Sequence, residues 1–174
     1  YLNLADFKAR VNADLVGKFI NLASRCAGFI NKKFANQLSS TLDNPELYEE
    51  FINTQSVIAD LYDALDYNRA MRTIMALADK ANQYIDSKKP WQLAKEAGNE
   101  DLVQAVCTQG INLFAVLALY LSPVIPHLYN EIEQFLNTKL EWNHPQPLLG
   151  HTINKFKPLL QRISEEDIAK LTNE

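Results

Sequence analysis

The sequence predicts an all-α protein: a helical bundle of about five main helices, then an extended C-terminal strap and a short terminal helix. Three observations carry this. Apolar residues recur three or four apart through most of the chain, no stretch alternates apolar and polar residues as a half-buried strand would, and prolines fall between the periodic runs. With 174 residues, 47% of them hydrophobic, the chain can bury a sizeable core as one domain. The bundle is assigned to residues 1–143, and the strap with its short helix, packing back on the bundle, to residues 144–174.

From Asp6 to about Phe34 the stripe Phe7, Val11, Leu15, Phe19, Leu22, Cys26 and Phe29 predicts one long amphipathic helix. Its opposite face carries Asp14, Lys18, Asn21, Arg25 and Lys32. Asn44-Pro45 reads as an N-cap with proline at the first helical position, opening a second helix with Tyr48, Phe51, Ile52, Ile58, Leu61, Tyr62 and Leu65 inward. A third begins near Asn68, turns Met71, Ile74, Met75, Ala78, Ala81 and Ile85 inward, and stops at Pro90, which leaves Trp91 at a helix-to-helix junction. After a break at Gly98-Asn99, the run from about Glu100 to Leu121 is apolar on most sides and predicts the central helix. Pro126 opens a fifth helix through Ile132, Phe135 and Leu136. "WNHPQPLLGHTINKFKPLL", with three prolines and a glycine, reads as the strap, and "SEEDIAKL" as the capped terminal helix.

The net charge of -4 argues against gripping nucleic acid by overall charge, so any nucleic-acid role must be local. Cys26 and Cys107 sit in apolar helical surroundings, which suits buried thiols in a reducing compartment and makes the cytoplasm the expected location. No secretory leader is recognisable, and the most apolar segment, Leu113 to Leu121, is short of the roughly 20 residues a bilayer needs. No membrane partner is expected.

A catalytic or metal site does not assemble from these residues. There is no glycine-rich phosphate loop and no His-Glu-x-x-His or Cys-x-x-Cys spacing. His127, His144 and His151 lie in the proline-rich C-terminal third and read as structural or solvent-facing, while Cys107 lies on an apolar helix that suits packing better than nucleophilic chemistry. Glu49-Glu50 and Glu165-Glu166-Asp167 suit solvated faces or first turns of helices. Two features remain. "NLASR" puts Asn21 and Arg25 four apart on one polar helix face, and Trp91 sits among Lys88, Lys89 and Lys95. Alone, the first pair are ordinary exposed residues and the tryptophan a core anchor. Together they are the equipment of a nucleotide reader, in which a ring stacks on a base while amide and guanidinium donors test its edge. Cytosine offers N3 and O2 as acceptors, where uracil presents a repelling N3–H.

"NADLVGKFINLASRCAGFINKKF", "IMALADKANQYIDSKKPWQLAK", "GINLFAVLALYLSPVIP" and "PLLGHTINKFKPLLQRI" together resemble the C-terminal anticodon-binding domain of bacterial-type methionyl-tRNA synthetase, a class I aminoacyl-tRNA synthetase. Synthetases for isoleucine, valine, leucine and cysteine share such a bundle, so it is the conjunction of motifs that selects this family. The resemblance implies a module that reads the CAU anticodon, with Trp91 stacked on the first base, Asn21 and Arg25 bonded to bases, and Pro90 holding the indole in place. It implies the anticodon stem-loop of tRNA(Met) and the catalytic domain of the same polypeptide as partners, with no DNA. It further implies that Pro147 to Ile163 runs back towards that catalytic domain, whose "HIGH"-like and "KMSKS"-like signatures are missing here. The chain then reads as an excised fragment with no cofactor of its own and no activity alone. ATP, and zinc where the zinc-bearing insertion is present, belong to the catalytic part of the parent methionine-tRNA ligase. Two other readings stay open at this point: the bundle of another class I synthetase, and a helical protein-protein scaffold in which Asn21, Arg25 and Trp91 are merely surface and core.

Overall fold

A computed structural model describes residues 14–143 and 145–157. The predicted start of the first helix, His144 and the helix at "SEEDIAKL" lie outside the described residues. The described chain is helical with no named strand, as the periodicity predicts. A π-helical segment, Leu15–Ile20, runs directly into α1, Asn21–Lys33. There follow α2 (Pro45–Asn53), α3 (Gln55–Asp63), α4 (Tyr67–Lys88), the one-turn α5 (Pro90–Leu93), α6 (Glu100–Leu121) and α7 (Pro126–Leu136).

Helix α6 is the axis of the bundle, with every residue from Val106 to Leu121 buried. It is 22 residues long with a mean hydropathy of 1.7 over its most apolar window, long and apolar enough to cross a bilayer, yet 83% of that window is buried inside the fold. The segment is therefore longer than the "LFAVLALYL" run suggests, and it is packed as a core helix. Helices α1 and α4 lie against it, their inward faces built from the predicted stripes. Rings continue the packing outward: Phe19 stacks on Phe114 at 4.6 Å, Phe114 meets Phe135 at 6.2 Å, and Phe135 meets Phe156 of the strap at 5.3 Å.

The start and stop signals act as their chemistry requires. The Asn44 side chain accepts from Leu47 N at 3.1 Å with Pro45 at the first helical position, and Asp66 caps α4 by accepting from Arg69 N at 3.2 Å. One expectation fails. The single helix predicted from Pro45 to Leu65 is broken at Thr54, whose hydroxyl donates back to Glu50 O at 2.9 Å. The fully buried Tyr120 of α6 takes up the freed carbonyls, donating to Phe51 O at 2.6 Å and Ile52 O at 3.3 Å. The Gln55 side-chain amide, next to the break, donates a hydrogen bond to Trp142 O. Leu65, predicted inward, is 71% exposed. It occupies a left-handed position (φ 57°) that ends α3, with Leu65 N bonded to Tyr62 O and Asp66 N to Leu61 O, the paired bonds of a Schellman terminus.

Over residues 145–157 the strap is without helix and is pinned at two places. Buried Asn112 on α6 holds it by accepting from Leu148 N at 2.6 Å and donating to Leu148 O at 3.1 Å. Further along, Leu38 N donates to His151 O, Ile153 N to Asn36 O and Asn154 N to Phe135 O, and Ile153 is buried.

Close approach of α1 and α6 depends on Gly110, where a Cβ would stand 2.2 Å from Cys26 Sγ and 3.2 Å from Ile85 Cδ1. Cys26 and Cys107 are both buried and free, and the Cys107 thiol is pushed far up by its hydrogen bond with Cys26 and by burial. Gly110→Ala should therefore cost about 1–3 kcal/mol, because the added methyl forces the helices apart. Pairing it with Cys26→Ala should cost less than the sum of the two single changes, which urea melts on the four proteins will test.

Candidate nucleic-acid interface

The residues singled out from sequence come from two elements packed on α6. Asn21 and Arg25 stand one turn apart on α1, and Trp91 follows buried Pro90 on α5. Arg25 and Trp91 meet: the guanidinium carbon lies 5.3 Å from the centroid of the indole. Trp91 nevertheless keeps 39% of its surface exposed, so it is neither a buried anchor nor a detached side chain. Asn21 is exposed and makes no contact with the indole of the kind Arg25 makes; its amide lies 3.4 Å from Gly17 O, one turn back in the π-helical segment.

Local sequence explains why the indole stands where it does. Lys89 N closes α4 on Ile85 O at 2.9 Å, Lys89 adopts a left-handed conformation (φ 51°, ψ 62°), and its carbonyl then accepts from Gln92 N and Leu93 N. Pro90, lacking an N–H, begins α5 where no donor is needed, so α4 gives way to α5 at the left-handed Lys89 and Trp91 is left partly exposed just past the junction.

Two residues not predicted from sequence complete the arrangement. Asp86 Oδ1 accepts from Arg25 Nη2 at 2.5 Å, and Asn82 Oδ1 accepts from Arg25 Nη1 at 3.3 Å. Asn82 is itself oriented, its amide donating to Lys18 O at 2.8 Å and Ala78 O at 2.9 Å, which leaves its oxygen for the arginine. Asn82 and Asp86 stand four apart on α4, a helical spacing that places both on one face. That spacing is the one signal the sequence carries for them. Arg25 is thus more than the free residue of a polar face, as the helix pattern alone suggests: it ties α1 to α4 and covers part of Trp91.

The basic setting is also more selective than the sequence suggests. Lys18 binds Asp79 at 3.0 Å and Asp14 at 3.7 Å. The hydrogen bond with Asp79 raises its ammonium above the ordinary lysine value, against a lowering by partial burial. Lys88 binds Asp43 at 3.2 Å, and the same carboxylate accepts from Tyr84 Oη at 2.6 Å. Burial, then Asp43, drives that phenol far up. Lys89 and Lys95 are exposed and form no ion pair among the described residues.

Among the described residues no three His, Cys, Asp or Glu side chains gather as a metal site would require. One concavity among the described residues, about 810 Å³, is lined by Glu131, Gln134, Asn137, Lys155 and neighbouring residues of α7 and the strap, and includes none of Asn21, Arg25 or Trp91. A base-stacking platform needs an open ring face rather than a deep cavity, so the two features answer to different chemistry.

A family model for the anticodon binding domain of methionyl tRNA ligase matches residues 37–174. Pro90 and Trp91 fall inside that match, and Asn21 and Arg25 precede it. The fold is similar to that of Mycobacterium tuberculosis methionyl-tRNA synthetase in complex with methionyl-adenylate, with a TM-score of 0.70 and 18% identity over 86% of this chain and 31% of that one. The free-state form of the Mycobacterium tuberculosis enzyme gives 0.68 and 19% over 91% and 35%. The chain therefore spans about a third of the length of the solved structures it matches.

Arg25→Ala should lower folding stability by about 1 kcal/mol, since it removes a part-exposed ion pair worth up to ~1 kcal/mol and a cation–π contact worth about 0.5–1 kcal/mol. Asp86→Asn should cost less, because it keeps an acceptor for the guanidinium. Chemical denaturation of both single variants and the double variant will check this, and additive losses would mean that the pair is not coupled.

Proposed function

The chain belongs to the family of anticodon binding domains of methionyl tRNA ligase, and on that premise we propose that it reads the CAU anticodon of tRNA(Met) for a parent enzyme that joins methionine to tRNA at the expense of ATP. The observation that carries the reading is the half-open indole of Trp91 with the Arg25 guanidinium against it. In this reading the first anticodon base, a cytosine, stacks on Trp91. Base-aromatic stacking needs one accessible ring face and tolerates a cation on the other.

Discrimination then falls to Arg25 and Asn21. Asn82 and Asp86 engage two of the five guanidinium N–H groups, leaving three. These donors suit the O2 and N3 acceptors of cytosine, and uracil answers the same donors with an N3–H. Asn21, one turn away and exposed, supplies an amide to a neighbouring base edge. Pro90 supports the indole through the backbone.

The remaining parts of the proposal concern the parent polypeptide. Its catalytic domain would hold the ATP and any zinc, and the strap would run back towards it. Two buried free thiols suit a reducing cytoplasm. Because Lys18, Arg25 and Lys88 already face carboxylates, few phosphates are neutralised, so stem-loop binding should lose affinity with salt at a slope of about two to four. A slope near ten would contradict this local mode.

Titration of a CAU stem-loop, and of one with the first base changed to U, tests the reading. Trp91→Ala should weaken CAU binding by roughly 5- to 150-fold, and Trp91→Phe should recover part of that loss. Its stability loss should stay well below the ~3–5 kcal/mol of a fully buried tryptophan. Trp91→Ala protein that binds the CAU loop as the parent does would sink the assignment.

A further inference from the structure

Of the three lysines beside Trp91, Lys88 is paired, whereas Lys89 and Lys95 are exposed and form no ion pair among the described residues, and of these two Lys89 is the nearer to the indole in the chain. Lys88 spends its charge on Asp43, at 3.2 Å, and lies 6.0 Å from the Tyr84 ring centroid. Lys89, next in the chain, is exposed, forms no ion pair among the described residues, and is separated from Trp91 only by Pro90.

Its backbone adds an independent observation. Lys89 has φ 51° and ψ 62°, a conformation that is strained for a residue with a Cβ and that glycine adopts freely. The following proline narrows its choices further. The corner itself needs only the backbone of this residue: its N–H closes α4 and its carbonyl starts α5. Glycine would serve those bonds with less strain, so nothing in the packing of the corner calls for a lysine. What a lysine adds there is a long cationic arm, fixed at its root beside an open indole and held by no ion pair among the described residues.

We propose that Lys89 binds a backbone phosphate of the anticodon loop beside the base stacked on Trp91, which makes it a phosphate-positioning residue of the reader; this rests on the reading given above. Lys89 stands two residues before Trp91, so its arm starts beside any nucleotide whose base stacks on the indole. An ammonium there neutralises one charge and fixes the position of the nucleotide without reading its identity.

The test is titration of the 174-residue chain with the CAU and UAU stem-loops over a range of salt concentrations, with melting curves on the same proteins. Lys89→Gly should bind the CAU loop about 3- to 10-fold more weakly at low salt, with a salt slope smaller by about one. Its preference for C over U should be unchanged, and its melting temperature should rise by about 2–4 °C as the left-handed strain is relieved. Lys89→Arg should keep the parent's slope, and Lys88→Gln should leave the slope unmoved. An unchanged slope in Lys89→Gly, or an equal fall in Lys88→Gln, would overturn the proposal while leaving Trp91 as platform intact. Failure of the parent chain to bind the CAU loop, or indifference of that binding to Trp91→Ala, would instead remove the reading on which it rests.

Discussion

Everything in this fold answers to a helix that is buried on all sides. With Val106 to Leu121 out of solvent, α6 cannot be covered by α1 and α4 alone, and the chain must supply cover from non-helical backbone as well. Such backbone brings polar groups into the interior, where an unsatisfied donor or acceptor costs about 1–3 kcal/mol. The polar side chains of α6 meet this requirement one by one. Thr108 accepts from Ser39 N, and Gln109 both accepts from Asn44 N and donates to Asn44 O. Asn112 does the same for Leu148. Gln109 and Asn112 thus stand in for a neighbouring strand, each giving the backbone a donor and an acceptor, and so fix the 34–44 connection and the strap against an otherwise apolar helix.

What the sequence made legible divides along the same line. Periodicity revealed the helices α1, α4, α6 and α7, because a stripe of apolar residues is a local property, and the caps at Asn44, Pro45 and Pro126 were equally local. The break at Thr54 was not visible in this way. It depends on Tyr120, 69 residues from the carbonyl it receives, and without that partner a continuous helix is the cheaper reading of the same residues. Leu65 misled for a related reason: as a leucine it belongs inward, and only the hydrogen bonds of the α3 terminus place it in the left-handed position that turns it outward.

The candidate site shows the same division. Pro90 announced the corner at Trp91, but the meeting of Trp91 with Arg25 is a tertiary fact, and the partner that orients Arg25, Asp86, lies 61 residues away in sequence. Spacing could put Asn21 and Arg25 on one helix face, and their chemistry suggested that they work with the tryptophan, but no sequence feature showed that the two lie side by side. In the fold the connection runs through the core. Helices α1, α4 and α5 all rest on α6, so the indole, the guanidinium and its carboxylate inherit their separations from apolar packing. A site assembled this way is held in place by the fold itself, so on the proposed reading the ordering cost of binding would fall mainly on the RNA loop.

The ion pairs give the proposed reader its selectivity. A surface of unpaired lysines would hold any RNA, because phosphate attraction is blind to sequence and alone accounts for non-specific binding. Here Lys18, Arg25 and Lys88 are met by Asp79, Asp86 and Asp43, so most of the positive charge near the platform is cancelled within the protein. An RNA that cannot stack on the indole and satisfy the donors gains little from approaching. On the proposed reading this arrangement makes binding by the domain alone weak, and a tethered catalytic domain would offset that: contacts made elsewhere on the same tRNA would raise the effective concentration of the anticodon at the platform without adding a contact there. Discrimination can then reside in a few short-range contacts, while affinity is gathered over the whole complex.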